Sequence, residues 1–482
     1  MLKKKARASV MWSGFDALIR QGVGFIISIL LARLLVPEDF GVIALLALFL
    51  GLANVFVSAG FSLALIQRKD LTHSDESTVF WFNIAAALVV TLLLFAISPW
   101  IADFFVLPIL IPLTMLMACN ILINAMGSVH GALLTKNLKF KKLMKIGVAS
   151  TLISGSVGVY MAWADYGVWA LAVQSMTGTV ISTALLWFFS PWRPLPIFSR
   201  NSFMKLFSFS GWIFASMILD TIYQRGYNLL IGKYYGVYDL GIYNRADNIQ
   251  QLPSGVMTTV LSRVAFPLFS QVNDDKERLC RGARMSVRSI MLITSPIMFG
   301  LAVLSEPFIR EVFGEQWLPA VPILQVLCVS GLLFPLHVIN LNVLQAQGHG
   351  RLFFRLEIIK KSFGITLLVI GSFFGVMGIA WSRIIQSAIG LIINSHYTRK
   401  HLGYGLLIQI RDCMSSIILS AVMATVVIFF DNAIEMDGVV ELLMLIAIGA
   451  SFYLASNILL GIETFKEAIY FIKGENQDEK SN

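Results

Sequence analysis

Charge is what this chain has least of: Asp, Glu, Lys and Arg make up 13% of its 482 residues, against roughly 25% in soluble domains. No soluble domain of ordinary size fits such a composition. Cysteine is scarce too. Cys119, Cys280, Cys328 and Cys413 show no CxxC spacing and fall in apolar runs or a basic loop, which argues against a disulfide framework or a zinc site. The phosphate-loop pattern GxxxxGK[ST] and the hydrolase patterns HExxH and GxSxG are absent, so nothing supports ATP hydrolysis or the commoner hydrolase chemistries.

What is present is apolar. Hydrophobic residues reach 57% and the mean hydropathy is +0.76. One helical crossing takes about 20 apolar residues, so the chain reads as an all-α polytopic membrane protein. Apolar segments recur at 10–35, 40–66, 79–98, 108–132, 146–163, 167–189, 203–231, 240–268, 288–304, 319–346, 358–374, 376–397, 412–430 and 439–462, fourteen expected transmembrane helices. The formal charge of +9 does not point to nucleic acid, because Lys and Arg sit in short clusters between these segments.

Those clusters read as topology signals. With the N-terminus in the cytoplasm, basic residues gather in alternate connections: Lys3 to Arg7, Arg68 and Lys69, Lys136 to Lys145, Arg193 to Lys205, Lys276 to Arg288, Arg351 to Lys361, Arg399 to Arg411, and Lys466 to Lys480. The outer connections keep Arg33, Lys233 and Arg310. The positive-inside rule therefore expects both termini in the cytoplasm. Met1 to Arg7 resembles the charged start of a signal peptide, but no small-residue cleavage pattern follows, and it reads as a retained cytoplasmic end.

The chain also repeats. LARLLVPEDFGVI at 31–43 matches IGKYYGVYDLGIY at 231–243, pairing Arg33 with Lys233, Asp39 with Asp239 and Gly41 with Gly241 at an offset of 200 residues. At an offset of 208, Tyr166-Gly167-Val168 pairs with Phe374-Gly375-Val376. The organisation expected is a six-helix half over 1–195, a second over 200–405, two added helices over 410–462 and a cytoplasmic tail over 463–482. Six helices per half make this a parallel repeat, a plan that places a cavity between the halves.

Several ionisable groups lie at membrane depth, where they usually face a protein interior or a water-filled path. Asp16 and Arg20 share a face of the first helix and can pair with each other. In the seventh helix Asp220, Gln224 and Asn228 recur every four positions, with Arg225 alongside. In the eighth, Asn244, Asp247, Asn248 and Gln251 line one face, with Arg245 beside them. Amides and hydroxyls alone could be interhelical glue. A guanidinium stays charged and offers a fork suited to phosphate or carboxylate, so Arg20, Arg225, Arg245 and Arg383 are candidates for lining an anion path. Asp16, Asp220, Gln224, Asn244, Asp247, Asn248 and His337 are candidates for a polar lumen or ion coupling, although a lone histidine such as His337 or His130 is more often a packing residue. Pro112, Pro253, Pro296 and Pro335 are candidate bends.

A set of short stretches adds a resemblance: Trp12-Ser13, Ala32-Arg33 with Phe40-Gly41, Ile66-Gln67-Arg68-Lys69, Phe80-Trp81-Phe82-Asn83, Tyr243-Asn244-Arg245-Ala246, Phe266-Pro267-Leu268-Phe269, Val312-Phe313-Gly314-Glu315-Gln316-Trp317 and Pro322-Ile323-Leu324-Gln325. In order and spacing through nearly the whole chain, they resemble the lipid-linked oligosaccharide flippases of the Wzx type, in the colanic-acid-exporter-like branch of the polysaccharide transporters. These share a superfamily with the multidrug and toxin extrusion proteins. The resemblance implies a V-shaped bundle of two six-helix halves plus two helices. It also implies movement of an undecaprenyl-pyrophosphate-linked oligosaccharide to the outer leaflet of the inner membrane, with no cofactor and with a polysaccharide polymerase as a candidate partner. Of the arginines, Arg245 is nearest a motif position. Two other functions stay open: ion-coupled efflux of small cations, which calls for a lumen rich in carboxylates, and a membrane glycosyl-polymerase. The short outer connections, the longest near Leu304 to Pro319, argue against the polymerase.

Overall fold

The computed structural model describes residues 19, 21–58, 61–68, 70–272, 275–347, 350–433, 438–462 and 465. Asp16 and Arg20 lie outside the described residues. Among those described, the regular elements are helices: α1 (Gln21–Leu34), α2 (Pro37–Ser58), α3 (Phe61–Gln67), α4 (His73–Phe105), α5 (Leu110–Lys136), α6 (Phe140–Trp163), α7 (Val168–Phe189), α8 (Arg200–Tyr234), α9 (Val237–Gln271), α10 (Lys276–Val303), α11 (Ser305–Val312), α12 (Val321–Ala346), α13 (Gly350–Gly371), α14 (Gly375–Leu402), α15 (Leu406–Ala433) and α16 (Val439–Leu459). Among the described residues, ten stretches are long and apolar enough to cross a membrane. Hydrocarbon offers no water to an open N–H or C=O, and a helix satisfies both within itself. The chain is thus an all-α, multi-pass membrane protein.

Local chemistry sets several helix ends. Thr72 and Asp75 form a reciprocal capping box at the start of α4, which satisfies backbone donors that a first turn leaves open. Asp275 accepts from the backbone N–H groups of Glu277 and Arg278 to start α10. Pro296 and Pro335 lie inside α10 and α12. Pro112 differs from the expectation of a bend. It falls in the first turn of α5, where the N–H that proline lacks has no intrahelical acceptor anyway. The connection from Leu304 to Pro319 is not an open loop either: it folds into α11 and a 3-10 turn (Glu315–Ala320) that buries Trp317 completely.

The helices form two compact units, Met1–Gly241 and Ile242–Asn482. In the first, Ala53 and Val57 of α2, Ala87 and Leu94 of α4, and Ala118, Ile121 and Ala125 of α5 make one core. Small residues dominate it because helices in lipid gain by close packing rather than by escape from water. A Cβ on Gly155 of α6 would stand 2.1 Å from Ile27 of α1. The two copies of the repeated motif also meet. A Cβ on Gly41 would lie 1.8 Å from the Val237 carbonyl oxygen, and one on Gly241 would lie 2.0 Å from that of Pro37. The offset of 200 pairs Pro37 with Val237 and Gly41 with Gly241, so each copy presents a glycine to the other's carbonyl.

The second unit is tied by polar bonds at one end of its core. Asp412 of α15, its side chain 1% exposed, takes ion pairs from Arg284 at 2.9 Å and Arg288 at 2.6 Å, both on α10. The Tyr404 hydroxyl donates to the same carboxylate at 3.1 Å. Asn340 of α12 and Gln409 of α15 exchange two amide hydrogen bonds of 2.9 Å. A buried carboxylate survives where charged donors surround it. Beneath this cluster pack Leu279, Val287, Met291, Leu336, Ile339 and Val343.

Because backbone rather than a flexible side chain faces Gly41, Gly41→Ala should lower stability by about 1–3 kcal/mol. Gly226→Ala, with open space around it, should be neutral or slightly stabilising. Thermal unfolding of the purified protein in detergent checks both; equal midpoints for the two variants would mean that the paired turns are loosely held.

Candidate functional site

The polar face read in the seventh segment is present on α8. Asn228 is 5% exposed and donates to the Ala44 carbonyl at 3.3 Å, which docks α8 on α2. Asp220 is half-buried, whereas Gln224 and Arg225 are exposed. The stem of Arg225 passes α2 where that helix has no side chain: a Cβ on Gly51 would lie 3.9 Å from Arg225 Cγ. Its guanidinium is therefore presented to the surroundings of the unit while its aliphatic part is supported.

Two cavities adjoin in the same unit and share Asn124. One, of about 420 Å³, lies among α5, α6 and α7. The other, of about 260 Å³, is walled by α2, α3, α4 and α5, with Met217 of α8 at its edge. No ionisable side chain lines either one. The sequence reading missed this region because it followed charges, and the signal it could have used was the run Gln174, Ser175, Thr179, Ser182 and Thr183 along one side of α7.

In the second unit the site residues fall into three settings. Arg245, 5% exposed, stacks over Trp317, 4.4 Å from the ring centroid, and Phe313, 4.9 Å away. A desolvated cation over an indole gains about 2 kcal/mol, so two stretches that carried the family resemblance are joined here through their side chains. Arg383 of α14 pairs with Asp247 of α9 and donates to the Tyr243 hydroxyl at 3.3 Å. Asp247 also accepts from Gln251 at 2.6 Å. The sequence had set Asp247 beside Arg245. Residues two apart on a helix do not face each other, and the partner instead comes from α14. Asn244 is half-buried and Asn248 exposed on α9.

His337 of α12 has both ring nitrogens engaged, with Ser387 Oγ at 3.0 Å and Asn394 Nδ2 at 3.3 Å, both on α14. His130 is fully buried among Phe80, Trp187 and Trp192. Both fit packing roles. Three cations read only as topology signals are ion-paired: Arg284 and Arg288 with Asp412, and Lys360 of α13, 12% exposed, with Glu357. The spacing of Glu357 from Lys360 and Lys361 was legible. Among the described residues no group of three or more His, Cys, Asp or Glu could hold a metal ion.

The fold defines the class. The chain superposes with a TM-score of 0.77 on the lipid II flippase MurJ in an inward closed conformation, covering 93% of this chain and 98% of that one at 18% identity. On an inward-facing multidrug resistance MATE family transporter of the MOP superfamily the TM-score is 0.63, covering 80% and 98% at 15% identity. This is the fold of a MOP-type membrane transporter. Residues 30–322 match the family described as polysaccharide biosynthesis protein, and the chain belongs to that family. Among its relatives, the lipopolysaccharide biosynthesis protein WzxC of Escherichia coli is 28% identical over 82% of this chain and 80% of its own length. The teichuronic acid biosynthesis protein TuaB of Bacillus subtilis is 29% identical over 83% and 84%. The resemblance to Wzx-type polysaccharide transporters is thereby borne out.

The pair between α9 and α14 generates a double-mutant test. Asp247→Asn and Arg383→Gln should each destabilise by about 1–3 kcal/mol, because each strands a partly buried charge. Combined, they should cost at least about 0.5 kcal/mol less than the sum. Thermal unfolding of the four proteins measures the coupling, and strict additivity would show that the two side chains are energetically independent.

Proposed function

We propose that this protein is a flippase that carries an undecaprenyl-pyrophosphate-linked oligosaccharide repeat unit across the bacterial inner membrane by alternating access, for surface polysaccharide biosynthesis. The observation that carries the reading is a polysaccharide biosynthesis family chain on a MOP transporter fold, with an exposed arginine, Arg225, on a polar helix face. An ionised diphosphate prefers such a fork, and the lipid tail can stay in the bilayer. The chain acts as a transporter, with no catalytic step of its own.

The topology that goes with this reading is fourteen spans, in two six-helix halves over 1–195 and 200–405 plus helices over 410–462, with both termini in the cytoplasm. Its support is the charge alternation between segments. The partners are membrane lipids, the lipid-linked oligosaccharide and a polysaccharide polymerase that takes the product on the outer face. Arg225 receives the anionic part of the cargo; Arg383, in the second unit, is a separate candidate whose bond to Asp247 a phosphate would replace. Arg245, held between aromatic rings, braces α9 against the segment after α11. Ion-coupled efflux of small cations is less favoured, because Asp247 already has a cationic partner in Arg383.

A deletion strain should accumulate the complete repeat unit on undecaprenyl pyrophosphate at the cytoplasmic leaflet, read by mass spectrometry together with a leaflet assay. Normal delivery to the outer leaflet with altered chain length would point to a polymerase instead. Arg225→Ala should lower export about 10- to 100-fold at unchanged protein level, matching the loss of one charge-assisted hydrogen bond of ~1.5–3 kcal/mol. Arg225→Lys should keep part of the activity.

A further inference from the structure

The two cavities of the first unit have a composition that a lipid-facing surface would not keep. Along α7, Ser175, Thr179 and Ser182 follow i, i+4, i+7 spacing and so share a face, with Gln174 and Gly178 beside them; all five line the larger cavity. A Cβ on Gly178 would stand 3.3 Å from Ser154 Oγ of α6, so this glycine keeps the neighbouring hydroxyl uncovered. On α5 the polar positions run Asn120, Asn124 and Ser128, again one turn apart. Asn120 donates to Ser175 Oγ at 3.0 Å, which fixes α5 against α7. Asn124 donates to Asn54 Oδ1 of α2 at 3.4 Å and belongs to both cavities. Exposed amides such as Asn54 and Asn124, on a membrane protein, belong where water or a polar solute reaches them.

The smaller cavity holds an independent sign of a ligand. Asn83 of α4, fully buried, lines it. Its Nδ2 donates to Ser128 Oγ at 3.0 Å, while its Oδ1 has no hydrogen-bond partner. Buried polar atoms are nearly always paired, so this oxygen is an acceptor left for a hydroxyl that enters the cavity.

We infer that the polar face of α5 and α7, with the Asn54–Asn124 pair and Asn83, is a binding groove for the uncharged, hydroxyl-rich sugar part of the cargo; this rests on the flippase reading above. Amides and hydroxyls both donate and accept, which suits vicinal sugar hydroxyls. The absence of charge keeps each bond weak and neutral, as a transit site requires, since a cargo held by ion pairs would leave slowly. From Gln174 to Leu186 the α7 wall runs ~18 Å at 1.5 Å per residue, enough for several linked rings. Met217, at the edge of the smaller cavity, stands ~12 Å along α8 from Arg225. The groove therefore begins two turns from the guanidinium assigned to the diphosphate, and the two parts of one lipid-linked sugar have separate places.

The test uses the purified full-length protein and two probes: the lipid-linked oligosaccharide extracted from the deletion strain, and undecaprenyl pyrophosphate without sugar. Asn124→Leu combined with Thr179→Val should weaken binding of the glycosylated probe about thirtyfold, equivalent to two or so neutral hydrogen bonds, and leave the sugarless probe unchanged. Arg225→Ala should weaken both. If the double variant does not fold, Ser182→Leu, which lines the same cavity, reports on the same face with the same expected selectivity. Unchanged binding of the glycosylated probe by these variants, or equal loss for both probes, overturns the groove while leaving the flippase in place. Failure of the unaltered protein to bind the glycosylated probe overturns the flippase reading itself.

Discussion

Inside a bilayer no solvent completes an unfinished hydrogen bond, and every polar group of this chain has to be satisfied by the protein or by what the protein carries. The backbone meets the demand by being helical throughout the described spans. Side chains meet it locally. Hydroxyls bond back to a carbonyl one turn earlier, as Thr221 does to Met217 at 2.8 Å, and Asn228 reaches across to α2. Arg225 and the amides Asn54 and Asn124 stay exposed after this internal pairing.

The same constraint sorts the charges. Asp412 with Arg284 and Arg288, Asp247 with Arg383, and Arg245 over its aromatic rings are three ways of holding a partly or fully buried charge. The first ties α10 to α15 across the end of the apolar core. The second is a polar pair between α9 and α14 that also bonds Gln251 and Tyr243. The third stacks a buried guanidinium on the faces of Trp317 and Phe313.

Duplication shows its physical sense in the turn regions. The two copies of the motif touch through glycines that face each other's carbonyl oxygens, a contact possible only where neither copy has a side chain. A repeated sequence thus supplies both halves of a close backbone contact at no added cost in design, since one glycine position, copied, serves twice.

Hydropathy and basic clusters were enough to read an all-helical, multi-pass chain, because crossing length and charge placement are local properties of a segment. The polar faces of α8 and α9 were legible for the same reason: helical spacing alone brings Asp220, Gln224 and Asn228 into line. The partner of a given charge was not legible. Asp247 meets Arg383, Arg245 meets Trp317, and Asp412 meets Arg284 through packing between helices far apart in sequence. The neutral groove was hidden too, since its amides and hydroxyls are ordinary membrane-helix residues one at a time, and only the apposition of α5, α6 and α7 gathers them around one cavity.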